Sequence, residues 1–361
     1  ELTFFGSFYT GLSDGITQGY YKPTANQLNS SIFNGTTFAP KAENNWFWLA
    51  KLTYKYSPTL KFYYSFNQSV NINQNSQSLQ SNLEYIEPSP GYQYNFQNIL
   101  DNANTFTHNN KYHSLGITHT LNSKMFYEFK INSFYTNLRA DANGNDYSMY
   151  NEPKDIVTFP IEYYNINRDT IGVIPGDGFW DVGNPYTWRD HYVEEFSVRG
   201  DLTNFFDEKN KFKAGFNFQF QEMQVIDIYK PWVGELGLNN DMYKVYPALG
   251  SLYAQDNINF SGMILNFGLR LDYWFPGKYV DDAVNNPDVV TIPDEVRQDY
   301  MDDTYAWFGG RRFKARLSPR LGISHPVSDN QTLFFSYGHF SKWPKPQFVY
   351  AKLDPLNAQS S

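Results

Sequence analysis

The residues that could perform chemistry in this chain are few and dispersed. Among its six histidines, His113 and His119 share one face of a predicted strand. A pair six residues apart is more typical of a membrane interface than of a metal site, because a metal needs three or four ligands. The sequence contains no nucleophile elbow, phosphate-binding loop, zinc-protease motif or dinucleotide fingerprint. We therefore expect no catalytic residues, no cofactor and no metal, and a protein that is not an enzyme.

Two loops contain residues that could hold a cation. The segment 176–181 reads Gly-Asp-Gly-Phe-Trp-Asp, but it lacks the carboxylate spacing of an EF-hand calcium loop. A second region could bind cations or a cationic substrate, although a solvated surface loop is the simpler interpretation. Its carboxylates are Asp281, Asp282, Asp288, Asp294, Glu295, Asp299, Asp302 and Asp303.

A larger set of candidates is basic. These residues recur at the polar positions of alternating segments, where they would contact carboxylates, guide an anionic substrate, or simply wet a polar interior. Of these alternatives, simple wetting is favoured for any single residue. The set comprises Lys51, Lys55, Lys61, Arg199, Lys213, Arg270, Lys314, Arg316 and Arg320. The candidate contact residues are Arg270, Arg316 and Arg320 first, then Arg199 and Lys51.

The composition favours strands as the elements that position these residues. Aromatic residues make up 19% of the 361 residues, whereas charged residues make up 18% and the mean hydropathy is −0.56. The formal net charge of −8 argues against nucleic acid as a partner, since such a surface would be basic. The absence of cysteine excludes disulfides and cysteine-ligated metals.

Alternation of apolar and polar residues is the dominant pattern. In Leu60–Ile72 one side carries Leu60, Phe62, Tyr64 and Phe66, and the other carries mostly Lys, Ser and Asn. Successive side chains of a strand point to opposite faces, so such a segment has one apolar and one polar face. The same pattern recurs in Asn45–Tyr56, Phe212–Gln221, Met263–Trp274 and Phe313–Ser324.

The whole chain reads as about eleven strands joined alternately by short turns and long links. The turns are predicted near 57–59, 121–124, 207–210, 261–262 and 328–330, and the links near 11–44, 73–107, 139–189, 229–244 and 277–312. This connectivity is typical of an all-β transmembrane antiparallel barrel with short periplasmic turns and long extracellular loops. A soluble β-sandwich is the alternative, but it would have to bury all these apolar faces.

The strand count also predicts that residues 1–361 are a partial barrel domain. Eleven antiparallel strands cannot close, and an open edge in lipid leaves backbone groups unpaired. No apolar run reaches the roughly 20 residues of a membrane helix. The chain starts at Glu1 and runs directly into a predicted strand near 2–10, and because an exported protein needs a signal peptide, we expect one upstream.

Three stretches near the C-terminus resemble TonB-dependent outer-membrane receptors. Residues 252–256 (Leu-Tyr-Ala-Gln-Asp) and 265–273 (Leu-Asn-Phe-Gly-Leu-Arg-Leu-Asp-Tyr) are similar to the "Y-x-Q-D … L-x-x-G-L-R-x-D" strand pair of that family. Residues 317–323 resemble its "S-P-R-x-G" strand, and residues 332–340 resemble the "Y-G-x-F" strand that follows. The long Asn- and Tyr-rich loops resemble the large receptors of Bacteroidetes-type bacteria.

The resemblance implies a bacterial outer-membrane protein with about 22 strands and a lumen filled by an N-terminal plug. It implies uptake of a scarce nutrient (an iron chelate, cobalamin, an oligosaccharide or a peptide) driven by the TonB–ExbB–ExbD system. The sequence contains no TonB box, plug or C-terminal strand ending in an aromatic residue. A non-transporting envelope barrel, such as an adhesin-like scaffold or a secretion or assembly pore, is the alternative.

Overall fold

A single antiparallel sheet makes up most of the chain. The computed structural model describes residues 1–13, 43–73, 94–96, 99–156, 158–164, 170–175, 178–307, 310–328 and 330–351. The strands within these ranges are β1 (Leu2–Ser13), β2 (Glu43–Lys55), β3 (Leu60–Asn73), β4 (Thr105–Asn122), β5 (Met125–Asp141), β6 (Thr158–Tyr164), β7 (Thr170–Pro175), β8 (Thr187–Asp207), β9 (Asn210–Tyr229), β10 (Asn239–Val245), β11 (Ala248–Phe260), β12 (Met263–Phe275), β13 (Tyr305–Ala306), β14 (Arg312–Ser328) and β15 (Gln331–Gly338). Thirteen of them form the main sheet, and β6 and β7 form a separate hairpin.

The eleven predicted strands are confirmed. They follow one another in the order β1-β2-β3-β4-β5-β8-β9-β11-β12-β14-β15, each antiparallel to the next. The connections at one end are short, at 56–59, 123–124, 208–209 and 261–262. The predicted links at 11–44 and 73–107 fall largely outside the described residues. Among the described residues, β1 pairs with β2 and β15 with β14, and the sheet is not closed.

Several boundaries differ from the prediction. The link predicted at 139–189 contains β6 and β7, and the one at 229–244 contains β10. The sequence predicts a last strand at about 331–343, whereas β15 ends at Gly338. Beyond it the chain carries Pro344 and Pro346, which cannot donate backbone hydrogen bonds to a ladder.

The ladder register confirms the two-faced pattern across the sheet. Residues paired across a ladder lie on the same face. One continuous apolar row runs through Leu52, Tyr64, Leu115, Ile131, Val198, Phe218, Gly250, Tyr273 and Ala315. The neighbouring row on the other face runs through Tyr63, Gly116, Lys130, Arg199, Asn217, Ser251, Asp272 and Arg316. We call these two surfaces the apolar face and the polar face.

Just beyond the Phe196–Phe220 pair of β8 and β9, the polarity of both faces inverts at two paired positions. Beyond that paired position, Glu194 pairs with Glu222 on the face that was apolar. Val193 pairs with Met223 on the face that was polar. A membrane crossing takes about 9–11 strand residues, and the apolar stretch of β8 from Phe196 to Phe206 fits that length. The remainder of both strands therefore extends out of the membrane.

A small helical unit covers the polar face of this extension. It contains α1 (Lys278–Asn285) and α2 (Asp294–Asp303), and we call residues 278–303 the cap. A short helix, α3 (Gln347–Tyr350), packs beside it, and the Tyr350 hydroxyl donates to the Pro276 carbonyl at 2.9 Å. The shared apolar cluster consists of Met223, Val225, Tyr243, Val245, Val280, Val284 and Tyr350. No helix in the described part of the chain is long and apolar enough to cross a membrane.

Candidate functional site

The five basic candidates all lie on the polar face, as their positions in the alternation predict. The strands hold them in fixed register, so their relative placement follows from the ladder. Their cross-strand partners are Ser65 for Lys51, Asn217 for Arg199, Tyr253 for Arg270, Asp272 for Arg316 and Gly268 for Arg320.

Arg199 belongs to a charge network that joins β8 to β11. Its Nε donates to Asp201 at 2.6 Å, and the Tyr253 hydroxyl donates to the same carboxylate at 2.6 Å. On the neighbouring strand β5, Lys130 and Glu128 form a similar ion pair, with 3.5 Å between the Lys130 Nζ and the Glu128 Oε2. Arg199 is therefore largely neutralised within the wall.

Arg270 is paired in the same way, two residues from its partner on one strand. Its Nε donates to Asp272 at 2.8 Å, and the Asp272 side chain is only 17% exposed. One edge of the guanidinium is thus fixed against the wall, and its terminal N–H groups remain as donors.

Arg316 and Arg320 differ from the candidates Arg199 and Arg270 because their guanidinium groups contact aromatic rings. Arg316 lies 5.1 Å from the ring centre of Trp343, and Arg320 lies 5.2 Å from that of Phe340. Both rings come from the segment that follows β15. In the part of the chain that the structure describes, neither guanidinium has a carboxylate partner within 4.0 Å.

Lys51 is positioned by an aromatic residue as well. Its ammonium group lies 5.9 Å from the ring centre of Tyr63, and that of Lys130 lies 6.0 Å from the same ring. The structure therefore brings Lys51 close to Lys130, whereas Arg270, Arg316 and Arg320 are grouped on β12 and β14.

Sequence reasoning missed several partners of these cations. Glu128, Asp201 and Trp343 were not singled out, and Tyr253 and Phe340 were noted only as parts of the family motifs. Three of the ion pairs share a signal, because opposite charges stand two residues apart on one strand and so point to the same face. The two aromatic partners had no such signal, since they depend on the path of the chain after Gly338.

The acidic region 281–303 is a folded element, which differs from the solvated loop that we favoured. Asp281 is buried, accepting hydrogen bonds from the Tyr300 hydroxyl at 2.9 Å and the Arg312 backbone N–H at 3.4 Å. Burial raises the pKa of Asp281, and the hydrogen bond from Tyr300 opposes that shift. Asp303 instead pairs with Lys314, which lowers the pKa of Asp303.

Arg297 joins the two helices of the cap. Its side chain is 15% exposed and donates to the carbonyl groups of Ala283, Val284, Val289 and Ile292 at 2.5–3.2 Å. Two of these carbonyls belong to the last turn of α1, whose final C=O groups have no partner inside the helix. The cap is thus held by a hydrogen-bonded polar core as well as by apolar packing.

The two histidines of the predicted pair lie on the apolar face. His113 Nδ1 is 2.8 Å from the Tyr64 hydroxyl, and His119 Nδ1 is 3.3 Å from the Tyr127 hydroxyl. Within the described ranges, no group of three or more His, Cys, Asp or Glu residues is arranged to hold a metal ion. Of the possible calcium segment, Gly176 and Asp177 lie outside the described residues.

A two-faced antiparallel sheet, with a lipid-width apolar band and short turns at one end, defines an outer-membrane β-barrel. The chain belongs to the TonB-dependent receptors: the family described as TonB dependent receptor-like, beta-barrel matches residues 70–351. It is therefore a protein of the bacterial outer membrane, with its short turns on the periplasmic side.

Two solved structures are similar to most of this chain. The FrpB iron transporter from Neisseria meningitidis (F5-1 variant) is 12% identical, with a TM-score of 0.50, over 98% of this chain and 44% of that one. The ferric yersiniabactin uptake receptor FyuA from Yersinia pestis is 7% identical, with a TM-score of 0.47, over 92% of this chain and 41% of that one. The chain thus spans less than half the length of either. No curated protein matches the sequence.

Proposed function

We propose that the full-length protein is a TonB-driven receptor that captures a scarce nutrient at the cell surface and moves it inward chemically unchanged. The observation that carries this proposal is the polar face, where ion pairs and ring-stacked arginines line a membrane-spanning sheet. A barrel wall of this kind suits a lumen occupied by a polar plug and crossed by a polar solute.

In this proposal the extracellular loops and the cap capture the nutrient, and TonB, energised by ExbB and ExbD, displaces the plug. Arg270, Arg316 and Arg320 contact plug carboxylates first and the nutrient second, with Arg199 and Lys51 in supporting positions. The nutrient classes are an iron chelate, cobalamin, an oligosaccharide and a peptide. An iron chelate is the first to test, because the similar FrpB is named as an iron transporter.

The test is growth of a strain lacking this gene, with each nutrient class supplied as the only limiting source. Loss of growth on one class, restored by the intact gene and lost again when TonB is deleted, supports the proposal. Unimpaired growth and uptake on all four classes, with the protein present in the outer membrane of the parent, contradicts it and favours a non-transporting barrel.

A further inference from the structure

A cavity of about 580 Å³ opens on the polar face around Gly268. Gly268 has no side chain and is surrounded by polar ones: Gln255 and Arg320 are its ladder partners on either side. Asn266 and Arg270 stand two residues before and after it, on the same face of β12. All four residues line the cavity. The rim of this space, the Gly268 cavity, therefore carries amide and guanidinium groups.

The charge of the rim is positive. Arg270 is neutralised by Asp272, whereas Arg320 and Lys213, which also lines the cavity, have no carboxylate partner within 4.0 Å in the described part of the chain. Asp256 is the one acidic residue among the described lining residues. By register it pairs with Phe212 and Phe267, which places it on the apolar face.

The geometry of Arg320 leaves its hydrogen-bonding edge available. The Phe340 ring lies against the guanidinium group at 5.2 Å, a contact made with the planar group as a whole and not with an acceptor atom. The N–H groups around the edge form a planar fork that matches the two oxygens of a carboxylate or phosphate. Arg270 presents further donors on the other side of Gly268.

Hydration of the polar face alone would not require cations without carboxylate partners around this cavity. The same face carries Ser197, Asn217 and Ser251 in adjacent rows, and these neutral side chains solvate a polar wall without unpaired charge. Two cations without carboxylate partners in the described part of the chain, on the rim of one cavity, instead favour a negatively charged occupant.

We propose that the Gly268 cavity binds an oxyanion, the carboxylate or phosphate group of a small ligand, with Arg320 and Arg270 as its donors. That this ligand is the transported nutrient rests on the function proposed above. If it is, the nutrient is an anionic compound. The binding step itself requires neither TonB nor a transport cycle.

The test is calorimetric titration of the purified full-length protein in detergent at low salt, with citrate and inorganic phosphate as probes and maltose as a neutral comparison. Arg320→Gln should weaken binding of citrate or phosphate by about tenfold or more, since a charge-assisted hydrogen bond is lost. Arg320→Lys, which keeps the charge without the fork, should bind with intermediate affinity. Lys61→Gln is the matched control, because Lys61 lies on the polar face of distant β3 and its loss should change affinity less than twofold.

Three outcomes overturn the proposal: neither anion binds the wild type, Arg320→Gln binds as the wild type does, or Lys61→Gln weakens binding equally. The last outcome would show a general effect of wall charge. Failure of the uptake experiment with binding intact refutes the proposed function alone. Intact uptake without anion binding refutes the cavity assignment alone.

Discussion

The ring of Tyr253 covers Gly215 on the neighbouring strand. A Cβ atom added at Gly215 would lie 2.7 Å from that ring and 2.6 Å from the Gly200 carbonyl oxygen. The same relationship recurs on both faces, with rings over glycines of adjacent strands in the pairs Tyr63–Gly116, Phe216–Gly200 and Tyr273–Gly250. These glycines are thus required for space, because a ring lies where a side chain would stand.

Substitution of Gly215 should therefore destabilise the sheet. Gly215→Ala forces the Tyr253 ring and the backbone apart, and we expect a loss of about 1–3 kcal/mol in the free energy of unfolding. Urea unfolding of the full-length protein in detergent measures it. Gly322→Ala is the control, since a Cβ atom there has its nearest neighbour at 3.6 Å and should change stability by less than about 0.5 kcal/mol. Equal effects at the two glycines would contradict the packing argument.

Leu269 tests the assignment of the apolar face to lipid. It lies near the middle of β12 and is 48% exposed. Leu269→Arg should cost about 2–4 kcal/mol near the membrane midplane, because the bilayer does not solvate the charge. Unfolding from lipid vesicles gives the value. The control is Val290→Arg, at a residue of the cap that is 74% exposed. A neutral Leu269→Arg would mean that this face does not contact lipid.

Arg297 should be the most sensitive residue of the cap. Arg297→Met keeps the length of the side chain but removes the side-chain donor from four backbone carbonyls, of which those of Ala283 and Val289 keep a backbone N–H donor. We expect local opening of residues 278–303 to become easier by at least about 1.5–3 kcal/mol. Hydrogen exchange of those amides reports it.

A matched comparison for Arg297 is Lys278→Met in the same cap. Lys278 is 3.8 Å from Asp282 in an exposed ion pair, and such pairs contribute about 1 kcal/mol at most. If both variants exchanged at the same rate, the four hydrogen bonds of Arg297 would have no special role.

The stability of the cap should depend on pH through Asp281. Burial raises its pKa above the ordinary 3.8, so the folded cap holds more protons than the unfolded one between these two values. Protonated Asp281 therefore contributes fully to the stability of the folded cap below the ordinary pKa, and this contribution is lost as pH rises through the raised pKa.

Hydrogen exchange of the cap between about pH 4 and pH 7, corrected for intrinsic rates, measures this dependence. The pKa of Asp303 is lowered by Lys314 and contributes a slope of the opposite sign. The informative quantity is thus the difference between wild type and Asp281→Asn, which should decline with pH. A difference that is flat or rises with pH would contradict the assignment.

Most of the sheet was predictable because its determinants are local. The alternation in Met263–Trp274 sets which side chain faces lipid, and the turn at 261–262 sets the register with the preceding strand. The same alternation predicted that Arg270, Arg316 and Arg320 lie on one face, because side chains two residues apart on a strand point to the same side of the sheet.

The rest of the site depends on contacts between distant segments. The partners Trp343 and Phe340 reach the arginines only because the chain turns over the polar face after Gly338. The cap was missed for a related reason. Its many carboxylates indicate a solvent-exposed loop, yet Asp281 is buried and accepts hydrogen bonds from Tyr300 and Arg312. The alternation was recognised in only part of β9, at Phe212–Gln221, because it changes sign just beyond the position where Phe220 pairs with Phe196.

That change of sign sets how far the protein stands above the cell. From Phe196 to Thr187 the strand adds nine steps of about 3.3 Å, and even at a tilt of 35–45° this raises the outer end of β8 by about 20 Å. The part of β9 beyond Phe220 pairs with this stretch and rises with it. A solute that approaches from outside then meets folded protein before it meets the bilayer, so the first encounter is governed by the side chains at the outer ends of these two strands.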